Sequence, residues 1–246
     1  INFLRDKFTP PGTFKLQRYE EITDQTVALR LFVPFPELME QTKTFGNLVL
    51  CGSRGSGKST YLAAIAFFPK ADNPFVDYKE IFGVYFPCRQ GEFRLLSKEM
   101  IDYNEVGMAR VKHVIIVKII RRTLEAIADG IESNKLKLPE NYSLLKKSLY
   151  VFLGDNKIAT LERDIVSEIR NIVSTMIRIE MKALDNLFNN KTDLLKNIAT
   201  EINIVAFFKA IRESFLELNN TRFHLLFDDA GIPNIPLEVQ RVINDI

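Results

Sequence analysis

A glycine-rich segment early in the chain has the residue types and spacing that hold a phosphate chain. Its letters GSRGSGKS fit the pattern G-x-x-x-x-G-K-[ST]. Glycines let successive backbone N–H groups turn inward around phosphate oxygens, and a following helix adds the positive end of its dipole. Lys58 can reach the β- and γ-phosphates, and the Ser59 hydroxyl is a hard oxygen ligand for Mg²⁺. The predicted nucleotide contacts are Gly52, Ser53, Arg54, Gly55, Ser56, Gly57, Lys58, Ser59 and Thr60.

Two adjacent carboxylates end an apolar stretch much later in the chain. In FHLLFDDAG, Asp228 and Asp229 follow a run with strand character. In a P-loop fold an acid at this place holds Mg²⁺, usually through water, and a second acid can orient or deprotonate an attacking water. We therefore assign Asp228 to the metal together with Ser59, and Asp229 to catalysis together with Lys58. Asp229 reaches less far than the Glu of fast ATPases, which puts efficient hydrolysis in doubt.

Two further matches point to a GTPase. Residues 228–231 (DDAG) fit D-x-x-G, and residues 190–193 (NKTD) fit the guanine-reading N-K-x-D, in which an aspartate accepts two hydrogen bonds from the base. In GTPases the second motif follows the first or precedes the phosphate loop, whereas here it lies between them. A helix cap at Thr192 or Asp193 is the favoured interpretation. A GTPase stays open as the less favoured alternative.

The elements around these motifs are those of an α/β protein. Short apolar runs rich in β-branched and aromatic residues predict strands, and Pro69 should end the helix after the phosphate loop. The predicted strands lie at residues 47–51, 81–87 and within 222–231, and the predicted helices at 36–43, 60–68 and 237–246.

The middle of the chain has helical periodicity. We expect a helix over about 104–137 with a break near Gly130, and another over roughly 198–218. Between them a seam of apolar residues at steps of three and four predicts a long helix; we favour an intramolecular hairpin over a dimeric coiled coil. The seam contains Ile158, Leu161, Ile165, Ile169, Ile172, Met176, Ile179, Ala183 and Leu187.

These elements predict an α/β fold: a P-loop NTPase parallel sheet flanked by helices, with a large helical insertion between the second strand and the acidic strand. The predicted divisions are an irregular lead-in (1–45), a first part of the core (46–98), the helical insertion (99–220) and a second part of the core (221–246). Because the chain begins at Ile1 and stops at Ile246 inside a predicted helix, we expect a piece of a longer protein with an incomplete core.

Composition excludes several classes of protein. The net charge of +2 does not favour nucleic-acid binding, although that partner stays open. Two cysteines, Cys51 and Cys88, are too few for a disulfide framework. No run of 18 apolar residues predicts a membrane span, so the default expectation is a cytoplasmic protein.

Some residues outside the two motifs are candidate contacts. The basic clusters Lys118, Arg121, Arg122 and Lys146, Lys147 are best interpreted as solvated helix faces. Tyr61 and Phe45 flank the phosphate loop, where either ring could stack on an adenine. His113 and His224 stand alone on apolar stretches and are not predicted to be ligands.

The segments LVLCGSRGSGKST, IFGVYFP and LLFDDAG…LEVQRVIND together resemble AAA-like P-loop ATPases related to origin-recognition-complex proteins. Bacterial stand-alone members, many of them in anti-phage or other conflict systems, look most similar. The resemblance covers about half the chain and leaves out the helical middle. It implies ATP and Mg²⁺ as cofactors and a homo-oligomer, an effector protein partner or both. The family's sensor residue, trans-acting arginine and helical lid would lie beyond Ile246.

Three functions of different kinds follow. The leading one is an ATPase whose turnover drives or licenses a partner. The second is a nucleotide-gated switch or oligomerisation scaffold with little turnover, for which Asp229 and the long helices argue. The third is an interaction module that nucleotide merely stabilises.

Overall fold

The described part of the chain is a mixed α/β structure. The computed structural model describes residues 32–44, 48–51, 56–69, 73–88, 105–153, 164–188, 203–228, 230 and 235–244. In chain order their elements are α1 (Pro36–Thr42), α2 (Lys58–Ile65), β1 (Ile81–Pro87), α3 (Glu105–Glu132), α4 (Tyr142–Leu153), α5 (Ile165–Phe188), α6 (Ile204–Ser214), a 3₁₀ turn (Leu216–Leu218), β2 (Arg222–Asp228) and α7 (Leu237–Asn244).

The sheet formed by the described residues has two parallel strands, β1 and β2. Their register runs from Ile81 opposite Arg222 to Pro87 opposite Asp228. Two of the three predicted strands, 81–87 and the one within 222–231, are therefore confirmed, and so is their parallel pairing. Because parallel strands end at the same edge, the carboxyl end of β1 lies beside Asp228.

The two faces of this sheet carry different neighbours. On one face Phe82, Val84 and Phe86 enter a large apolar core shared with α3, α5, α6 and α7. On the other face Tyr85 and Leu226 join a smaller cluster with Tyr61 and Ile65 of α2. Side chains alternate between faces along a strand, so one strand serves both layers. Helices therefore flank the sheet on both sides, as predicted.

The predicted apolar seam packs inside the chain. Ile169, Ile172 and Met176 of α5 are buried in the large core, and α5 packs along α3. Packing within the chain is thus confirmed for these residues, although α4 lies between the two packed helices in the sequence. Ile158, Leu161 and the side chains of Ala183 and Leu187 lie outside what the structure describes.

The predicted helix after the phosphate loop was too long. It ends at Ile65 instead of running to Pro69, since Ala66 is extended and forms a parallel bridge with Gly83. The next residue continues this pairing, because the Phe67 N–H donates to the Gly83 carbonyl oxygen at 2.8 Å. Pairing with the sheet thus replaces the last helical turn.

The predicted break near Gly130 falls two residues beyond that glycine, at the end of α3. Helix α3 continues through Gly130 to Glu132, and the Gly130 carbonyl accepts hydrogen bonds from the N–H groups of Lys135 and Leu136 at 2.9 and 3.0 Å. Asn134 has a φ of 57°, the left-handed conformation that commonly follows a helix end. The helix therefore ends at Glu132, short of the predicted residue 137.

The predicted strand before the phosphate loop was also wrong for the residues that can be assessed. Residues 48–51 have no regular structure, and Leu48 and Val49 are 45% and 78% exposed. A strand requires a neighbouring backbone to pair with, and an apolar run does not supply one. Helix α4 was not predicted as a separate element.

The predicted domain divisions stay a prediction. Helices α3, α5 and α6, all within 99–220, share one continuous core with β1. These helices therefore pack directly against the sheet.

Candidate functional site

The first turn of α2 meets the carboxyl end of β2. The Ser59 hydroxyl donates a hydrogen bond to Oδ1 of Asp228 at 3.0 Å, although the two residues are 169 positions apart. Asp228 is only 8% exposed. The structure therefore brings together the two residues that sequence analysis assigned to a metal.

The backbone before α2 has a left-handed conformation that favours glycine. Gly57 precedes the helix with a φ of 85°. This angle is sterically unfavourable for L-residues that carry a side chain. The following residue, Lys58, begins the helix and donates from Nζ to Oγ of Ser56 at 3.2 Å. Thr60 lies half-buried in the same turn. Through Ser59, the N-terminus of α2 therefore lies beside Asp228, and Lys58 is the residue that precedes Ser59 in the chain.

Several predicted site residues cannot be placed. Gly52, Ser53, Arg54, Gly55 and Asp229 lie outside the described residues, as does the segment 190–193. Their assigned roles stay predictions.

Tyr85 on β1 also belongs to this site, although neither motif contains it and it was not predicted. Its hydroxyl donates to Oδ2 of Asp228 at 2.6 Å. With Ser59 on Oδ1, both carboxylate oxygens accept a hydrogen bond from a side chain. Period-2 alternation places Tyr85 on the face of β1 opposite to Phe86, but only the register of β1 against β2 brings it to Asp228.

The residues present fit a magnesium–nucleotide group. Mg²⁺ prefers oxygen ligands, and protein sites for it often use one or two oxygen-bearing side chains together with substrate phosphates. Ser59 and Asp228 supply a hydroxyl and a carboxylate at the end of parallel strands, where α/β proteins bind ligands. The α2 N-terminus and Lys58 favour the negative charge of phosphates.

A family model described as ORC-CDC6-like matches residues 13–246. The chain belongs to the ORC-CDC6-like family. This finding confirms the resemblance drawn from the motifs and makes the chain an AAA-type nucleotide-binding protein related to the AAA ATPases. No match to a curated protein or to a solved structure reaches significance.

One candidate base contact of this ORC-CDC6-like protein is excluded by burial. Tyr61 is 3% exposed, and its hydroxyl donates to the Leu38 carbonyl oxygen at 2.8 Å. Its ring therefore belongs to the packing of α2 against α1, and the prediction that it could stack on adenine was wrong. Phe45 lies outside the described residues.

The prediction of a solvated face was wrong for Lys118 and Arg121 of α3. The Lys118 side chain is 4% exposed and contacts Glu180 of α5, which also accepts a hydrogen bond from Nε of Arg121 at 3.2 Å. The same guanidinium pairs with Glu125 at 2.8 Å. Local spacing could not predict this burial, because the acidic partner Glu180 lies on another helix.

The two histidines of the ORC-CDC6-like chain, His113 and His224, are partly buried. Burial lowers the pKa of His113 below its ordinary value, and burial together with the charge of Arg222 does the same for His224. Among the described residues no group of three or more His, Cys, Asp or Glu side chains is arranged to hold a metal. No described helix has the length and apolar character needed to cross a membrane.

Proposed function

We propose that this protein binds ATP with Mg²⁺ at the site formed by the phosphate loop and Asp228, and that it hydrolyses the nucleotide. The hydrogen bond of 3.0 Å between Ser59 and Asp228 carries the proposal. This hydrogen bond joins the two motifs of a P-loop site, which are 169 positions apart in the chain.

Each residue has a distinct part in this proposal. The phosphate loop and Lys58 hold the phosphates, while Ser59 and Asp228 hold Mg²⁺. When bound, Mg²⁺ neutralises negative charge on the β- and γ-phosphates. Asp229 orients the attacking water or accepts its proton. What supports these assignments is the position of Asp228 at the end of β2, immediately before Asp229.

The nucleotide state would act on a partner. We infer that the protein works as a homo-oligomer, with an effector protein, or both, in the cytoplasm and in a bacterial defence system. The support is the resemblance of its motifs to stand-alone members of such systems. Family membership supports the AAA-type core of this inference.

A second candidate function is a nucleotide-gated switch with little turnover. The second acid is Asp229, whose carboxylate reaches one methylene less far than that of a glutamate. A poorly placed base would leave ATP bound and intact, so that occupancy of the site would set the conformation.

The test measures bound nucleotide and phosphate release in the full-length protein with ATP or GTP. We expect ATP binding that Lys58→Ala weakens about tenfold or more, by the usual 1.5–3 kcal/mol of a charge-assisted hydrogen bond. Lys112→Ala, an exposed lysine of α3, serves as the matched control and should behave as wild type.

The outcomes separate the candidates. Sustained phosphate release that Asp229→Asn abolishes would support the ATPase. Retained ATP without release from either protein would favour the switch, and a preference for GTP would favour the GTPase alternative. Absence of nucleotide binding in the wild type would contradict all three.

A further inference from the structure

The hydroxyl of Tyr85 occupies one oxygen of the carboxylate assigned to the metal. It donates to Oδ2 of Asp228 at 2.6 Å, whereas Ser59 of the phosphate-loop helix donates to Oδ1 at 3.0 Å. The carboxylate is therefore held from two sides by two different elements. This arrangement defines which oxygen faces the phosphate loop.

We propose that Tyr85 is a positioning residue for the metal site: it fixes the rotation of the Asp228 carboxylate so that Oδ1 is presented beside Ser59. The inference rests on the proposed function. It adds a residue that neither motif contains and that belongs to a different strand.

The ring of Tyr85 is itself fixed by packing. It lies on the α2 face of β1, in the apolar cluster that contains Tyr61, Ile65 and Leu226. A side chain whose ring is packed has few alternative rotamers, so its hydroxyl has a defined place. Tyr85 thus links the packing of the phosphate-loop helix to the orientation of Asp228.

A role in joining the two strands does not account for this hydrogen bond. Strands β1 and β2 already pair over seven residues, from Ile81 opposite Arg222 to Pro87 opposite Asp228. The pairing extends one residue further, because the Cys88 N–H donates to the Asp228 carbonyl oxygen at 3.0 Å. The two strands are therefore already joined by their backbones, and what the Tyr85 hydroxyl restrains is the Asp228 carboxylate.

Groups that orient a metal-binding side chain change metal affinity when they are removed. Their loss typically weakens binding by about 10–100-fold. Tyr85→Phe removes only the hydroxyl and keeps the ring in its cluster. We therefore expect that, in the variant, the Mg²⁺ concentration needed to strengthen nucleotide binding rises about tenfold or more.

The experiment titrates a fluorescent ATP analogue into the full-length protein, first in EDTA and then at increasing Mg²⁺ concentration. Tyr85→Phe should bind the analogue as wild type does in EDTA and should require the higher Mg²⁺ concentration for half of the metal-dependent change. The matched control is Tyr78→Phe, which removes a hydroxyl bonded to the Lys135 carbonyl oxygen at 2.7 Å away from the site. This control should follow the wild type.

A double-variant comparison tests the route of the effect. If Tyr85 acts through Asp228, Tyr85→Phe should add nothing to the loss of Mg²⁺ response in an Asp228→Asn background. An additive loss would overturn the positioning role. So would a Tyr85→Phe protein with an unchanged Mg²⁺ response, or one weakened equally in EDTA and Mg²⁺.

The failures of the two proposals are distinguishable. A wild type that binds the analogue and responds to Mg²⁺, beside a Tyr85→Phe variant that responds identically, overturns the positioning role alone. A wild type without any Mg²⁺ response overturns the proposed metal site and the positioning role together.

Discussion

Gly83 of β1 lies directly against Ile65, the last residue of the phosphate-loop helix. A Cβ on Gly83 would lie 2.3 Å from the Ile65 carbonyl oxygen and 2.9 Å from Cα of Ala66. Both neighbours are backbone atoms, so no side-chain rotation can relieve the contact. The sheet and the phosphate-loop helix can approach this closely only because residue 83 has no side chain.

Gly83→Ala should therefore destabilise the protein by at least about 1–3 kcal/mol, the usual cost of overpacking. The measurement is urea unfolding of the variant and the wild type. Gly57→Ala is an informative comparison, because a Cβ at Gly57 meets nothing within 4 Å and its cost comes from the φ of 85°. Asn tolerates that φ, so Gly57→Asn should be more stable than Gly57→Ala, whereas Gly83→Asn should be no more stable than Gly83→Ala. Equal stability of Gly83→Ala and the wild type would contradict the close approach.

Ser59→Ala should remove the metal-dependent part of stabilisation by ATP. A ligand at about 100 times its Kd adds about 2.7 kcal/mol to the free energy of unfolding. Thermal unfolding with ATP in Mg²⁺ or in EDTA measures the two parts separately. Ser59→Thr keeps the hydroxyl and should retain the Mg²⁺ effect, whereas Ser174→Ala in α5 controls for loss of an exposed helical serine. A full Mg²⁺ effect in Ser59→Ala would remove Ser59 from the metal site.

Glu180→Leu should destabilise the α3–α5 pair. It removes the carboxylate that Lys118 contacts, where the two side chains are 10% and 4% exposed. Breaking a buried ion pair from one side costs about 3–5 kcal/mol, while replacing both partners by apolar residues is often neutral. The double variant Lys118→Met/Glu180→Leu should therefore recover most of the loss in urea unfolding, since Arg121 keeps Glu125. A double variant as unstable as Glu180→Leu would contradict this account.

Stability should fall as the pH decreases from about 7.5 to 5.5. Burial lowers the pKa of His113 and His224 in the folded protein, so the unfolded chain takes up protons at these imidazoles first, near their ordinary pKa of 6.5. The loss begins as the pH passes that ordinary value and levels off below the lowered one. Urea unfolding across this range should show a smaller decrease for His113→Gln/His224→Gln. An identical decrease would assign the effect to other groups.

Local spacing was sufficient to find most of the elements and the two residues, Ser59 and Asp228, that meet at the candidate site. The G-x-x-x-x-G-K-[ST] pattern pointed to Ser59, and the strand run before Asp228 pointed to its carboxylate, because both signals lie within a few neighbouring residues. The strand Ile81–Pro87 was predicted with the bounds that the structure has. The seam through Ile169, Ile172 and Met176 predicted a helix and its buried face for the same reason.

Sequence by itself determined the chemistry available here: glycines, a lysine, a hydroxyl and an acid in patterns that suit magnesium and phosphate. Tertiary structure alone decided which groups meet. The register of β1 against β2 brings Tyr85 to Asp228, the packing of α3 on α5 buries Lys118 with Glu180, and the pairing of Ala66 with Gly83 ends α2 early. Each of these contacts joins residues far apart in the chain, so no local pattern records it and only the folded backbone sets its distance.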